Sequence, residues 1–174
     1  MKKIMFNDRY GLTLAVLEGR KTMTRRIVQD GTPLGNWEET VKKSRFKVGE
    51  VVAVAQSYRQ IEQEIYTQGL PLNMKNEILR HKGYTNKMFV RSGDMPHSIR
   101  IADVHIERLQ DISDEDCLKE GVLRVGAGFY IKWRSDIIGL SAKGVFSILI
   151  DKMYGKGTWN SNPWVFVYEF ELIS

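Results

Sequence analysis

The sequence predicts an α+β chain whose strands form a small mixed β-barrel with helices at its periphery. Three observations carry this expectation. Strand-like alternation recurs at 51–57, 99–109 and 164–172, so the sheet draws on segments far apart in the chain. Residues 51–55, Val-Val-Ala-Val-Ala, are apolar on both faces, as expected of a strand enclosed by a barrel. Helical periodicity comes in short pieces scattered between the strands, which outnumber the helices.

Taken in order, residues 3–6 read as a short first strand. Asn7 and Asp8 are suited to cap a helix over about 9–18, where Leu12, Ala15 and Val16 follow i, i+3, i+4 spacing. Gly19 stands where a helix C-cap belongs, so 20–26 becomes a turn leading into a strand. Residues 31–35 read as loop, and 46–50 as a turn feeding the strand at 51–57. The stretch 58–86 is polar, rich in Gln, Glu, Lys and Asn, and reads as an insertion or lid outside the core. Further strands are expected at 87–91 and 99–109, the second with Ala102, Val104 and Ile106 on one face.

Ser113-Asp114-Glu115-Asp116 opens a short helix with its acids where the dipole favours them, and that helix stops at Gly121. A second insertion is expected over 123–140. Ser141 caps a helix whose Ala142, Phe146, Leu149, Ile150 and Met153 form one apolar stripe. The last strand places Trp164, Phe166, Tyr168, Phe170 and Leu172 on one face, with Val165, Val167, Glu169 and Glu171 on the other. Residue 162 precedes Pro163 and is expected to be extended.

Composition bounds the rest. A chain of 174 residues is enough for one domain with a substantial core, expected over 1–174. No apolar run approaches the roughly 18 residues of a membrane span. Lys2 and Lys3 are followed by only Ile4-Met5-Phe6 before Asn7-Asp8-Arg9, too short an apolar run for a signal peptide, so none is expected. Cys117 is the single cysteine, so a disulfide framework and a Cys-rich zinc site are excluded and a reducing, cytoplasmic setting is expected. His81, His97 and His105 show no ligand spacing, so neither metal nor cofactor is expected. A net charge of +5 and a pI near 9.3 point mildly toward polyanions.

Two stretches go beyond generic folding signals. Gly19-Arg20-Lys21-Thr22-Met23-Thr24-Arg25-Arg26 resembles the Gly-x-Lys-x-x-(Glu/Thr)-x-Arg signature of the ASCH superfamily, with Gly19, Lys21, Thr24 and Arg26 in the marked places. The segment 109–121, ending Glu120-Gly121, is similar to the one these domains carry after their central strand. The tail 157–170, which includes Trp159, Pro163 and Trp164, is similar to that of a bacterial and phage-associated ASCH group. The resemblance implies a PUA-like barrel with a cleft beside the 19–26 turn, engaging RNA or a modified nucleoside.

The resemblance also implies a chemistry. Small amidohydrolases of this superfamily remove the acetyl group from N4-acetylcytidine with a Lys, a Thr and a Glu, and Lys21, Thr24 and Glu120 match them. A Thr hydroxyl becomes a nucleophile when a base takes its proton, and a neutral lysine can be that base if burial and nearby cations lower its pKa. Arg20, Arg25 and Arg26 would supply the cations. An ionised Glu120 beside Lys21 would favour the ammonium and weaken the base; alternatively Glu120 serves the leaving amine. The rival expectation is an RNA-binding module without turnover, in which Lys21, Arg25 and Arg26 contact phosphates and Thr24 bonds backbone. A ribonuclease is a third, although no acid/base pair for it stands out. Tyr58 and Trp159, near expected loops, are candidate stacking platforms, and Arg91 a candidate rim contact.

Overall fold

The computed structural model describes residues 1–69 and 76–174. The chain runs β1 (Lys3–Ile4), a 3-10 turn (Asp8–Tyr10), α1 (Leu12–Leu17), β2 (Met23–Ile27), α2 (Trp37–Lys42), β3 (Val51–Val54), α3 (Tyr58–Thr67) and α4 (Asn76–Leu79). It continues through β4 (Ser98–Arg108), α5 (Asp114–Lys119), β5 (Leu123–Val125), β6 (Gly128–Ile131), β7 (Arg134–Gly139), α6 (Ala142–Tyr154), α7 (Thr158–Ser161) and β8 (Trp164–Leu172). The fold is α+β. Among the described residues no helix is long and apolar enough to cross a membrane.

Five strands form one sheet in the order β1-β3-β4-β8-β2, with β1 parallel to β3 and the other neighbours antiparallel. β4 and β8 are its long central pair, running from Ile99 opposite Leu172 to Arg108 opposite Trp164. The closed barrel expected from the sequence does not form among the described strands. β1 offers only two residues to a ladder, and the other edge, β2, is joined to it by a side chain: Arg26 Nη2 donates to Met5 O at 2.6 Å. Phe6 packs on Phe170 beside this seam, with ring centroids 5.7 Å apart. Two clefts open along the seam between β1 and β2.

The core lies between this sheet and α1, α5 and α6, around fully buried Val16, Met23, Val52, Ile99, Phe146 and Tyr168. α6 follows its expected pattern. Ser141 Oγ accepts from Gly144 N at 3.0 Å, and Ala142, Phe146, Leu149 and Ile150 are buried. Residues 123–140 form a second sheet, β5-β6-β7, with 126–127 as a hairpin turn. The 58–86 stretch begins with α3, capped by a reciprocal Ser57–Gln60 box; the part of it at 70–75 lies outside the described residues.

Three local expectations are corrected. The helix over 9–18 is divided by Gly11, whose φ of 65° suits the C-cap of a 3-10 turn and restarts the chain as α1. The strand at 87–91 is a 3-10 turn, Lys87–Phe89, because Asn86 Oδ1 accepts from Met88 N at 3.0 Å and competes with any ladder. Its Lys87 is buried, donating to Phe6 O at 2.6 Å and Asp8 Oδ1 at 2.8 Å. Residue 162 is not extended: Asn162 has φ 46° and ψ 56°. Asn tolerates the left-handed region, and Asn162 is held there by Gln110 N on its Oδ1 at 2.8 Å and Arg108 Nη1 on its carbonyl at 3.1 Å.

Candidate active site

Two helix ends are brought together to build the site. α1 ends at Glu18, and Gly19, at φ 70°, turns the chain so that Arg20 N and Lys21 N both donate to Ala15 O at 2.9 Å. α5 ends at Glu120, followed by Gly121 at φ 112°. Thr22 N donates to Lys119 O at 3.0 Å, which joins the start of β2 to the end of α5. The backbone of Gly121 lies close beneath: a Cβ there would meet Leu12 Cδ2 at 3.2 Å and Lys21 Cδ at 3.9 Å. Lys21 and Glu120 therefore face each other because two short helices stop where they do.

Lys21 Nζ donates to Glu120 Oε2 at 2.5 Å, to Glu120 O at 2.9 Å and to Met23 O at 2.8 Å. These contacts account for all three donors of an ammonium. Burial lowers the Lys21 pKa from its ordinary value; Glu120 opposes the shift, and Arg26 and Arg25 add to it. The other oxygen of Glu120 accepts from Arg25 Nη1 at 3.2 Å. Arg25 also reaches Glu107 Oε1, at 2.8 Å from Nε and 2.5 Å from Nη2, and Asp116 Oδ2 at 3.0 Å. Burial works against the charge on Arg25, but Glu120, Glu107 and Asp116 outweigh it and raise its pKa. The buried cations are thus neutralised from within the protein.

Strand alternation places Thr24 and Arg26 on the opposite face of β2 from Arg25, beside their partners Tyr168 and Phe166. A cleft of about 250 Å3 is lined by Lys21, Thr24, Arg25, Arg26 and Glu120, with Phe6, Leu149 and Met153 among its apolar walls. Thr24 is buried, and its hydroxyl makes no side-chain hydrogen bond among the described residues. Arg26 lies at the junction of the seam, 5.6 Å above the Phe6 ring, and its Nε is buried without a partner among the described residues.

The structure brings together Lys21, Thr24, Arg25, Arg26 and Glu120 and leaves the other candidates elsewhere. Arg20 lies outside this cleft, its Nε donating to Glu18 Oε2 at 2.7 Å. Tyr58 donates to Asp94 Oδ2 at 2.7 Å and packs edge-on against His81, and neither it nor exposed Arg91 lines the cleft. Trp159 is half-buried, edge-on to Phe146 at 6.2 Å, while its backbone N donates to Asp151 Oδ1 at 2.8 Å. It fastens α7 to α6 and lines no cleft beside Lys21.

Glu107 and Asp116, the carboxylates that hold Arg25, were missed in the sequence. Asp116 reads locally as a first-turn acid of α5, and Glu107 as a polar residue on a strand. The available signal was the alternation Asp103-x-His105-x-Glu107, a row of titratable groups on one face of β4. His105 Nδ1 lies 2.7 Å from Asp103 Oδ2, and its Nε2 lies 3.7 Å from Glu107 Oε2. Glu107, then Asp103, raise the His105 pKa to about 9 against the effect of burial. Asp103, His105 and Glu169 can also bring one ligand atom each within 4.8 Å of one another. Sequence spacing did not show this group because Glu169 comes from β8, opposite Asp103.

No family model, curated protein or solved structure compared with the chain matches it.

Proposed function

We propose that the chain is a PUA-like domain of the ASCH type that binds a modified nucleoside derived from RNA in the Lys21–Thr24–Glu120 cleft and hydrolyses the amide of an N4-acylated cytidine. The observation that carries this reading is the meeting of Lys21 and Glu120 at 2.5 Å in the same small cleft as Thr24. The three residue types expected to do this chemistry converge from two distant segments. The edge-to-edge approach of β1 and β2 supports a barrel-derived fold with an open seam, although their backbones do not pair.

In this reading Thr24 Oγ1 attacks the acyl carbon, Lys21 takes its proton, and the bond from that carbon to the cytosine nitrogen breaks. The departing nitrogen takes up a proton, which releases cytidine. Water then cleaves the Thr24 ester, yielding the carboxylic acid and the free hydroxyl. Burial, with Arg26 and Arg25 nearby, favours the neutral amine of Lys21 against the pull of Glu120. Glu120 Oε2, 2.5 Å from Lys21 Nζ, is placed to pass a proton from Lys21 toward the leaving nitrogen. Arg26 Nε, a buried donor lacking a partner among the described residues, is the group available to hold the acyl oxygen.

The second reading, RNA binding without turnover, is favoured by one observation: every donor of Lys21 is already committed to a fixed acceptor, as in a structural lysine. Incubation with N4-acetylcytidine, with cytidine release followed by chromatography, separates the two. Release abolished by Thr24→Ala and Lys21→Ala in folded protein supports the hydrolase. No release from the folded native chain rejects it and leaves binding.

A further inference from the structure

Past Arg26 the seam continues into a second compartment of about 470 Å3, which shares Met5 and Arg26 with the Lys21 cleft. The electrostatics of the two differ. In the first cleft Lys21 and Arg25 are each paired with a carboxylate. The second is lined by Lys3, Arg26, Lys43 and Arg45, and no carboxylate lines it. Lys3 is a fixed charge, its Nζ donating to the carbonyls of Lys87 at 3.1 Å and of Met88 and Val90 at 2.7 Å each. Arg45 rests its guanidinium on the face of Phe46, 5.4 Å from the ring centroid. Neither Arg45 nor Lys43 has an ionic partner among the described residues, and both are exposed at the mouth.

We propose that this compartment is a phosphate subsite, and that the substrate class of the site is a nucleotide: its base lies against Lys21 and Thr24, and its phosphate lies among Arg26, Lys43 and Arg45. The inference rests on the nucleoside reading of the first cleft. Its argument is one of charge. The cations lining the compartment have no carboxylate partner within it, and a guanidinium fork beside an ammonium matches phosphate oxygens. The phosphate can belong to a free mononucleotide or to a phosphodiester of RNA, which offer the same chemistry.

Isothermal titration calorimetry tests this with cytidine, cytidine 5′-monophosphate and a short cytidine-containing oligoribonucleotide, on the native chain and the Lys43→Glu/Arg45→Glu double variant. The monophosphate is expected to bind about tenfold or more tighter than cytidine at low salt. The double variant loses that gain and keeps its affinity for cytidine. An oligoribonucleotide that binds more tightly still, through the same two residues, identifies RNA as the source; equal binding identifies the free nucleotide. Equal affinity for cytidine and its monophosphate, absence of monophosphate binding, or a gain that survives the double substitution overturns the subsite. Hydrolysis of N4-acetylcytidine with no phosphate effect on binding removes the subsite alone. Phosphate-dependent binding without hydrolysis removes the hydrolase reading alone.

Discussion

Lys21 and Glu120, 99 residues apart in the chain, form a 2.5 Å ion pair in which neither side chain is more than 5% exposed. Burying two charges costs several kcal/mol per ion before their attraction returns any of it. The pair persists because the remaining valences are filled: Lys21 by Met23 O and Glu120 O, and Glu120 by Arg25. Glu120 is the member the two cations share, and among the described residues it is the ionic partner of Lys21.

Glu120→Ala is therefore expected to destabilise the fold by about 3–5 kcal/mol, because it leaves buried Lys21 without its carboxylate beside Arg25, which keeps Glu107 and Asp116. Lys21→Met should cost less, since Glu120 keeps Arg25. Urea unfolding of the two variants checks the order. A larger loss for Lys21→Met would place the centre of the network elsewhere.

Gly121 is coupled to the same pair through the backbone. Gly121→Ala forces a side chain into φ 112° with Leu12 Cδ2 at 3.2 Å, and should cost about 1–3 kcal/mol. With Lys21 Cδ at 3.9 Å, the shift should reach the lysine and lower hydrolysis as well. Gly49→Ala is the control: it is also left-handed, at φ 81°, but has open space around it. Stability should fall in both variants, and activity in Gly121→Ala alone.

The roles of Thr24 and Lys21 can be separated by chemistry and pH. Thr24→Ser keeps a hydroxyl and should retain hydrolysis, whereas Thr24→Val keeps the shape and should abolish it, with both variants folded. The rate should rise with pH as Lys21 gives up its proton, with a midpoint below the value of about 10.4 for a free lysine. Arg26 is one of the cations that depress Lys21. Arg26→Gln should therefore move that midpoint to higher pH, and a midpoint that stays in place would remove Lys21 as the titrating base.

His105 sets a pH dependence of stability. Its folded pKa of about 9 lies above the ordinary 6.5, so the folded state holds the proton more tightly than the unfolded chain. The stabilisation is complete below about 6.5 and is lost as the pH rises through about 9. Urea midpoints measured from pH 6 to 10 should decline across that window, and His105→Gln should flatten the decline.

Much of the secondary structure was legible in the sequence. Ser141 and the stripe of α6, the stop at Gly121 and the turn after Gly19 are signals read within a few residues, and caps, periodicity and left-handed glycines act over that range. Lys21, Thr24 and Glu120 were singled out by the family resemblance, and they line one cleft. Tertiary structure decided which of the basic residues are free. Arg25 and Arg26 are neighbours of one chemical kind, yet alternation along β2 sends Arg25 to Glu107, Asp116 and Glu120, and Arg26 to an open seam. It also decided that Lys87 is a buried cation where the sequence read a strand residue, and that Trp159 braces α7 instead of facing a ligand. Local signals act along the chain, whereas the partner of a charge is chosen by packing between segments that the chain brings together only on folding.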